Sequence, residues 1–220
     1  MNKLLSCLFV FISLSASMYA NEMIDVINTF RADKFVLRRT YTMRESKEYY
    51  ERYNRFYANW ETKLNNIDFN ELSKDGKADY ILLKNLIGKE EYLLNQDYDT
   101  FKEVASVVDF ADDLYTFIQQ RRRGTQPDAK TLAMAFNDAE KSISEKIKAL
   151  KSNQFKDWLK AEKAAAIISS LQRGLNEAYS FYYDYDPDFT WWMKTPHASL
   201  DQKLKEYTEF LRENYSEASQ

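Results

Sequence analysis

A single histidine, His197, stands in a chain of 220 residues. Zinc hydrolases commonly hold the metal with two or more histidines, and acid–base catalysis near neutral pH draws on imidazole more than on any other side chain. No second histidine lies four residues from His197, so no H-E-x-x-H zinc motif runs through it. Its place just after Thr195-Pro196 predicts a surface residue in the first turn of a helix. The paired acids Glu90-Glu91 and Asp112-Asp113 offer little more, because neighbours on a helix point about 100° apart and form no facing dyad. Glu90 alone falls between Leu86 and Leu94 on an apolar stripe, where a carboxylate needs a cationic partner or a shifted pKa; an internal ion pair is the expectation. Arg121-Arg122-Arg123, ahead of Gly124, is the one dense basic cluster. It suits either the C-terminal end of a helix dipole or a bidentate grip on carboxylate or phosphate. The stretch 179–192 gathers Tyr179, Phe181, Tyr182, Tyr183, Tyr185, Phe189, Trp191 and Trp192. Such density makes either a core corner or a platform on which a sugar or peptide stacks. None of these groups amounts to a complete catalytic constellation, and no catalytic residue, metal ligand or cofactor-binding residue is assigned.

The elements that must position these groups read as helices. Over 44–66, Tyr49, Tyr53, Phe56, Tyr57, Trp60 and Leu64 share one face of a 3.6-residue period. Ser73 is placed to cap a helix over 77–95 with Tyr80, Leu83, Leu86, Ile87 and Leu94 as its stripe, Asp75-Gly76 forming the turn at its mouth. One or two shorter helices occupy 98–120, anchored by Phe101, Val104, Val107, Val108, Phe110, Leu114, Phe117 and Ile118. Residues 121–127 read as a loop. Asp128 caps a helix carrying Leu132, Phe136, Ala139, Ile143, Ile147 and Leu150. A further helix over 155–183 carries Ile168, Leu171, Leu175, Ala178 and Tyr182, with Gly174 inside it, a choice that costs about 1 kcal/mol and points to close helix packing. Residues 184–195 read as an aromatic-rich loop. Thr195-Pro196 then opens a last helix by the cap-then-proline rule, with Leu200, Leu204, Tyr207 and Leu211 as its stripe. The fold class is all-α: an antiparallel helical array forming one domain.

Composition agrees with that class. Four glycines and three prolines leave few positive-φ turns, and 30% charged residues of mixed sign suit amphipathic helices. The formal charge of -3 gives no electrostatic case for nucleic acid. The first twenty residues carry Lys3, an apolar run over 4–14 and small residues up to Ala20, the pattern of a secretory signal peptide cleaved after Ala20, or alternatively after Ser17. The apolar run is too short to span a bilayer. Cys7 lies near the start of the run, with most of the apolar residues after it instead of before it, which excludes a lipoprotein signal; removal of the signal would leave residues 21–220 as an exported helical domain without cysteine, stabilised by its core alone.

A set of motifs in order resembles a known family. Arg55-Phe56-Tyr57 with Trp60, Ile67-Asp68-Phe69, Leu72-Ser73, Asp75-Gly76-Lys77, Asp79-Tyr80 and Leu82-Leu83-Lys84-Asn85 resemble the N-terminal region of the bacterial family called domain of unknown function 885. The Arg121-Arg122-Arg123 cluster, and Tyr185-Asp186-Pro187 with Phe189-Thr190-Trp191-Trp192, look like later landmarks of that region. The resemblance implies a longer, exported, all-helical protein of the zinc metallopeptidase kind, with the H-E-x-x-H motif and its zinc in a C-terminal half. No catalytic residue and no zinc ligand carries over to this chain. What the resemblance implies here is a scaffold whose helices form one wall of a substrate cleft, inactive alone, with Arg122 and Trp191 facing the cleft. Its partners would be a peptide substrate or the C-terminal half of the same protein, with no nucleic acid and, once the signal is removed, no membrane. The alternative is a free-standing exported helical protein that binds a peptide, glycan or protein partner.

Overall fold

The computed structural model describes residues 21–152 and 157–214. The expected signal segment, residues 1–20, lies outside the described residues. Seven α-helices follow one another: α1 (Met23–Thr40), α2 (Lys47–Asn65), α3 (Lys74–Lys102), α4 (Asp112–Arg123), α5 (Ala129–Ser152), α6 (Trp158–Tyr182) and α7 (Pro187–Asn214). Short 3-10 turns lie at Phe69–Glu71, Ala105–Val107 and Asp109–Ala111, and no strand occurs among the described residues. The helices pack as a single all-α domain. None of them is long and apolar enough to cross a membrane.

Two apolar clusters organise the packing. In the first, Tyr49, Tyr53, Tyr57, Trp60 and Leu64 of α2 face Tyr80, Leu83, Ile87 and Leu94 of α3, and α1 closes the cluster with Met23, Phe30 and Leu37. Phe30 meets Trp60 edge-on at 5.3 Å. The stripe expected for α2 is the buried one, apart from Phe56, which is half-buried. Ser46 and Ser73 cap α2 and α3, accepting hydrogen bonds from the backbone N–H of Tyr49 (3.3 Å) and Gly76 (3.1 Å). Capping of that kind is worth about 1 kcal/mol, against about 1.5–3 kcal/mol for each large side chain buried, so the aromatic stripe dominates the stability of these helices.

The second cluster is built by α4 to α7 and the 3-10 turns. Ile168, Leu171, Leu175 and Ala178 of α6 pack with Leu200, Leu204, Tyr207 and Leu211 of α7 and with Phe136 and Ile143 of α5. The Tyr207 hydroxyl donates to the Val107 carbonyl at 3.1 Å, tying α7 to the turn that precedes α4. Gly174 lies where a Cβ would stand 2.9 Å from Ile118 Cδ1 and 3.1 Å from Met43 Sδ, so α6 and α4 approach closely there. Met43 comes from the α1–α2 connection yet is buried in this second cluster, and Phe101 packs against both.

Four sequence expectations are corrected. The helix α1 was not anticipated at all. The arginines Arg121, Arg122 and Arg123 form the last turn of α4, not a loop: Gly124, at φ 68°, ends the helix just after them. The last helix starts at Pro187, not Pro196, because Asp186 is the true cap: its Oδ1 accepts from the N–H groups of Asp188 (3.0 Å) and Phe189 (3.1 Å). Pro196 therefore sits inside α7, and His197 lies in the helix interior, half-buried, not in a surface first turn. Finally, Leu86 of α3 is exposed although it falls on the expected stripe.

Candidate functional site

A concavity lies between α1, α2 and α3. It is a cleft of about 550 Å³ whose wall is Tyr41, Tyr49, Tyr53 and Tyr57. Three cations, Lys34, Arg38 and Arg44, and two carboxylates, Glu90 and Asp97, share its lining. The tyrosines stand four residues apart along α2, so successive turns deliver them to the same face. Tyr49 and Tyr53 stack at 4.2 Å. Tyr49, Tyr53 and Tyr57 of α2 are buried while they line the cleft. Burial pushes the Tyr53 and Tyr57 phenols well above the usual tyrosine range, with the neighbouring Tyr49 and Glu90 adding to the effect respectively. They stay protonated at any physiological pH and serve as hydroxyl donors.

Glu90 is engaged on both oxygens. Its Oε1 pairs with the Lys34 ammonium, and its Oε2 accepts a hydrogen bond from the Tyr57 hydroxyl at 3.0 Å. The internal ion pair expected for Glu90 is thus present, with Lys34 of α1 as the partner. Both acceptor sites being taken, Glu90 acts as an anchor of the cleft floor and not as a free base. A hydrogen bond with Tyr49 pushes Arg44 further toward its charged form, and Asp97 adds to it. Arg38 differs from the other two cations: it forms no hydrogen bond and no ion pair among the described residues while lining the cleft. The cleft therefore offers one free guanidinium, a second held by a phenol, and protonated hydroxyls, a donor set suited to an anion.

A second concavity, a groove of about 450 Å³, forms where the C-terminal turns of α1, α4 and α6 meet. Arg39 lies over the Phe35 ring (5.5 Å) and Arg121 over the Phe181 ring (5.2 Å). Phe35 and Phe181 are 52% and 55% exposed, so these rings face solvent beneath the guanidinium groups. Arg122 lines the same groove and reaches Glu177 at 3.7 Å. Arg123 points elsewhere, donating to the Tyr41 hydroxyl (3.0 Å), Glu48 (2.7 Å) and Gln119 (3.0 Å).

The aromatic stretch divides. Tyr182 and Phe189 are core, whereas Tyr185 and Trp191 are 86% and 73% exposed. Trp191 lines neither the tyrosine cleft nor the arginine groove and stands edge-on to Trp192 at 4.8 Å. The structure does not bring Arg122 and Trp191 into one site. Helix α1, unanticipated in the sequence, supplies Lys34 and Arg38 to the cleft and Phe35, Val36 and Arg39 to the groove. The signal for it was present: Met23, Phe30 and Leu37 recur every seven residues, two turns of a helix.

His197 stacks on Tyr179 at 3.6 Å with the rings nearly parallel, and its Nε2 lies 2.8 Å from Asn176 Oδ1. Burial lowers its pKa, with Asp201 opposing. Zinc, the metal that the family resemblance implies, does not fit this donor set: the one imidazole is held by an amide, and among the described residues no three His, Cys, Asp or Glu side chains converge on a common point. No family model matches this chain, and neither a curated protein nor a solved structure matches it.

Proposed function

We propose that this chain is an exported helical binding protein whose tyrosine-walled cleft takes an acidic peptide segment. The observation that carries the reading is Arg38, an unpaired guanidinium that lines the cleft beside Arg44 and the phenol hydroxyls. A ligand carboxylate would meet Arg38 bidentately and gain a charge-assisted bond there. The cleft volume of about 550 Å³ suits a short peptide segment, and Leu93 and Leu94 add apolar lining. Export rests on the charged, apolar and small-residue order of the first twenty positions.

The family resemblance supports a second, narrower reading of the same cleft. Arg55, Phe56, Tyr57 and Trp60 lie on α2, and Asp79, Tyr80 and residues 82–85 on α3, the two helices that build the cleft with α1. On that reading the chain is one wall of the substrate cleft of a zinc metallopeptidase-like protein, and the zinc chemistry belongs to residues other than those described.

Isothermal titration with an acidic tetrapeptide and with its Gln-for-Glu counterpart tests the first reading. Binding of the acidic peptide alone, weakened about tenfold or more by Arg38→Gln, is the expected result. Equal binding of both peptides, or none at millimolar concentration, would overturn it.

A further inference from the structure

The arginine groove carries a binding potential that its own chain does not satisfy. Arg39, Arg121 and Arg122 converge there, and among the described residues the only ion pair these three make is the 3.7 Å contact of Arg122 with Glu177. The guanidinium carbons of Arg39 and Arg121 already lie 5.5 and 5.2 Å from the Phe35 and Phe181 ring centroids. A cation–π contact of this kind holds a guanidinium over the ring while its N–H groups remain available to carboxylates. Between them two half-exposed phenylalanines offer an apolar floor. The matching ligand is a short segment with carboxylates spaced around an aromatic ring.

Such a segment lies three residues beyond Phe181. Residues 184–188 read Asp-Tyr-Asp-Pro-Asp. Tyr185, at 86%, is the most exposed of the large hydrophobic side chains. Hydrogen bonds hold the segment. Asp184 sits at φ 64°, its N–H donating to Thr190 Oγ1 at 3.0 Å, and Asp186 caps α7 while accepting from the Gln126 amide at 2.6 Å. Asp184 and Asp188 form no ion pair among the described residues. An acidic connection whose Asp184 and Asp188 make no ion pair among the described residues, and a basic groove in which Arg39 and Arg121 make none, therefore stand at the same end of α6.

We propose that the groove takes residues 184–188 of a second copy of this chain, with the Tyr185 ring on the phenylalanine floor and Asp184 and Asp188 on Arg39 and Arg121. Because Phe181 and Asp184 are neighbours in sequence, a two-fold axis beside the C-terminal end of α6 lets each copy give its acidic segment and receive its partner's. The contact is then isologous and closes as a dimer. The surface is distinct from the tyrosine cleft, so the dimer and peptide binding stand or fall separately.

Sedimentation velocity at low and high salt tests this, on the wild-type chain and on two variants of altered charge. Wild type is expected to dimerise in the micromolar range, with the dimer weakened about tenfold or more by high salt. R121E/R122E and D184N/D188R are each expected to be monomeric, with unchanged far-ultraviolet circular dichroism, and an equimolar mixture of the two is expected to recover the dimer. Tyr185→Ala is expected to weaken it with no change in salt dependence. A wild type that stays monomeric at hundreds of micromolar in low salt would overturn the proposal, as would a dimer that both variants leave intact. Binding of vesicles rich in anionic lipid by a monomeric wild type would overturn it also and assign the groove to a membrane surface.

Discussion

Lys34 of α1 and Glu90 of α3, 56 residues apart, form an ion pair across the floor of the tyrosine cleft. The pair is neither buried nor free: the two side chains are 29% and 23% exposed, and Glu90 also takes the Tyr57 hydroxyl. Removing the carboxylate alone leaves an ammonium and a phenol without their partner. Glu90→Leu is therefore expected to destabilise the fold by about 1–3 kcal/mol, while Lys34→Met with Glu90→Leu recovers most of the loss. Urea unfolding of the two single variants and the double variant measures the coupling. A double variant as unstable as the sum of the singles would show that the two residues act independently.

Gly174 marks a close approach of α6 to α4. A methyl group there would stand 2.9 Å from Ile118 Cδ1 and 3.1 Å from Met43 Sδ. Both are ends of flexible side chains, so overpacking is partly relieved, and alanine returns about 1 kcal/mol of helix propensity. Gly174→Ala is expected to be net destabilising by about 1 kcal/mol, and Ile118→Val in the same chain to restore stability by vacating the space. Thermal unfolding of the single and double variants checks this; Gly174→Ala more stable than wild type would show that the helices separate freely.

The helical periodicity made most of this architecture legible. The stripes of α6 and α7, from Ile168 to Tyr182 and from Leu200 to Leu211, are buried as read. The sites were not legible to the same degree. Pro196 looked like a helix start because proline inside a helix costs about 3 kcal/mol. In α7 the apolar stripe runs straight through it, from Phe189 and Met193 to Leu200 and Leu204, and burial of that stripe outweighs the missing hydrogen bond. The same cap-then-proline rule applied to Asp186-Pro187 gives the right start. The cleft and the groove both depend on α1, and no local pattern says that Lys34 will meet Glu90 or that Arg39 will lie beside Arg121. Those pairings are set by how α1 crosses α3 and α4, a tertiary relationship.

His197 is neutral in the fold over a pH range in which the unfolded chain's imidazole is charged. Burial among Tyr179, Phe136 and Asn176 lowers its pKa from an ordinary value near 6.5. In the window between the folded and the ordinary value the unfolded state holds more protons. The contribution is thus complete above about pH 6.5 and is lost as pH falls toward the folded pKa. His197→Gln can still donate to Asn176 Oδ1 and does not titrate. Calorimetric melting temperatures measured from about pH 8 down to about pH 5 are expected to fall more steeply for wild type than for the glutamine variant. Parallel profiles would place the acid sensitivity elsewhere.

Tyr115 of α4 is buried, and its hydroxyl has no hydrogen-bond partner among the described residues. Burial pushes the phenol far above the usual tyrosine range, so it is a neutral donor that has lost its water. Deleting such an oxygen removes a desolvation penalty and no bond. Tyr115→Phe is expected to stabilise the fold by about 1 kcal/mol, within the range for an unsatisfied buried group. Urea unfolding measures it, and a loss of stability would mean that the hydroxyl has a partner such as ordered water.

Tyr41 joins the two apolar clusters. The guanidinium groups of Arg52 and Arg123 lie 5.2 Å and 5.4 Å from its ring centroid, and its hydroxyl accepts from Arg123 Nη2 at 3.0 Å. Arg52 belongs to α2 and Arg123 to α4, so the ring meets one helix of each cluster. Tyr41→Phe keeps both cation–π contacts and loses one hydrogen bond, a change of about 0.5–1.5 kcal/mol. Tyr41→Leu loses the cation–π contacts as well, adding about 0.5–2 kcal/mol. The larger consequence is for cooperativity. With the joint weakened, amide hydrogens of α1 to α3 are expected to exchange faster in Tyr41→Leu, while those of α5 to α7, whose packing does not involve Tyr41, keep their wild-type protection. Uniform acceleration across all seven helices would show instead that the two clusters unfold as one unit even without the joint.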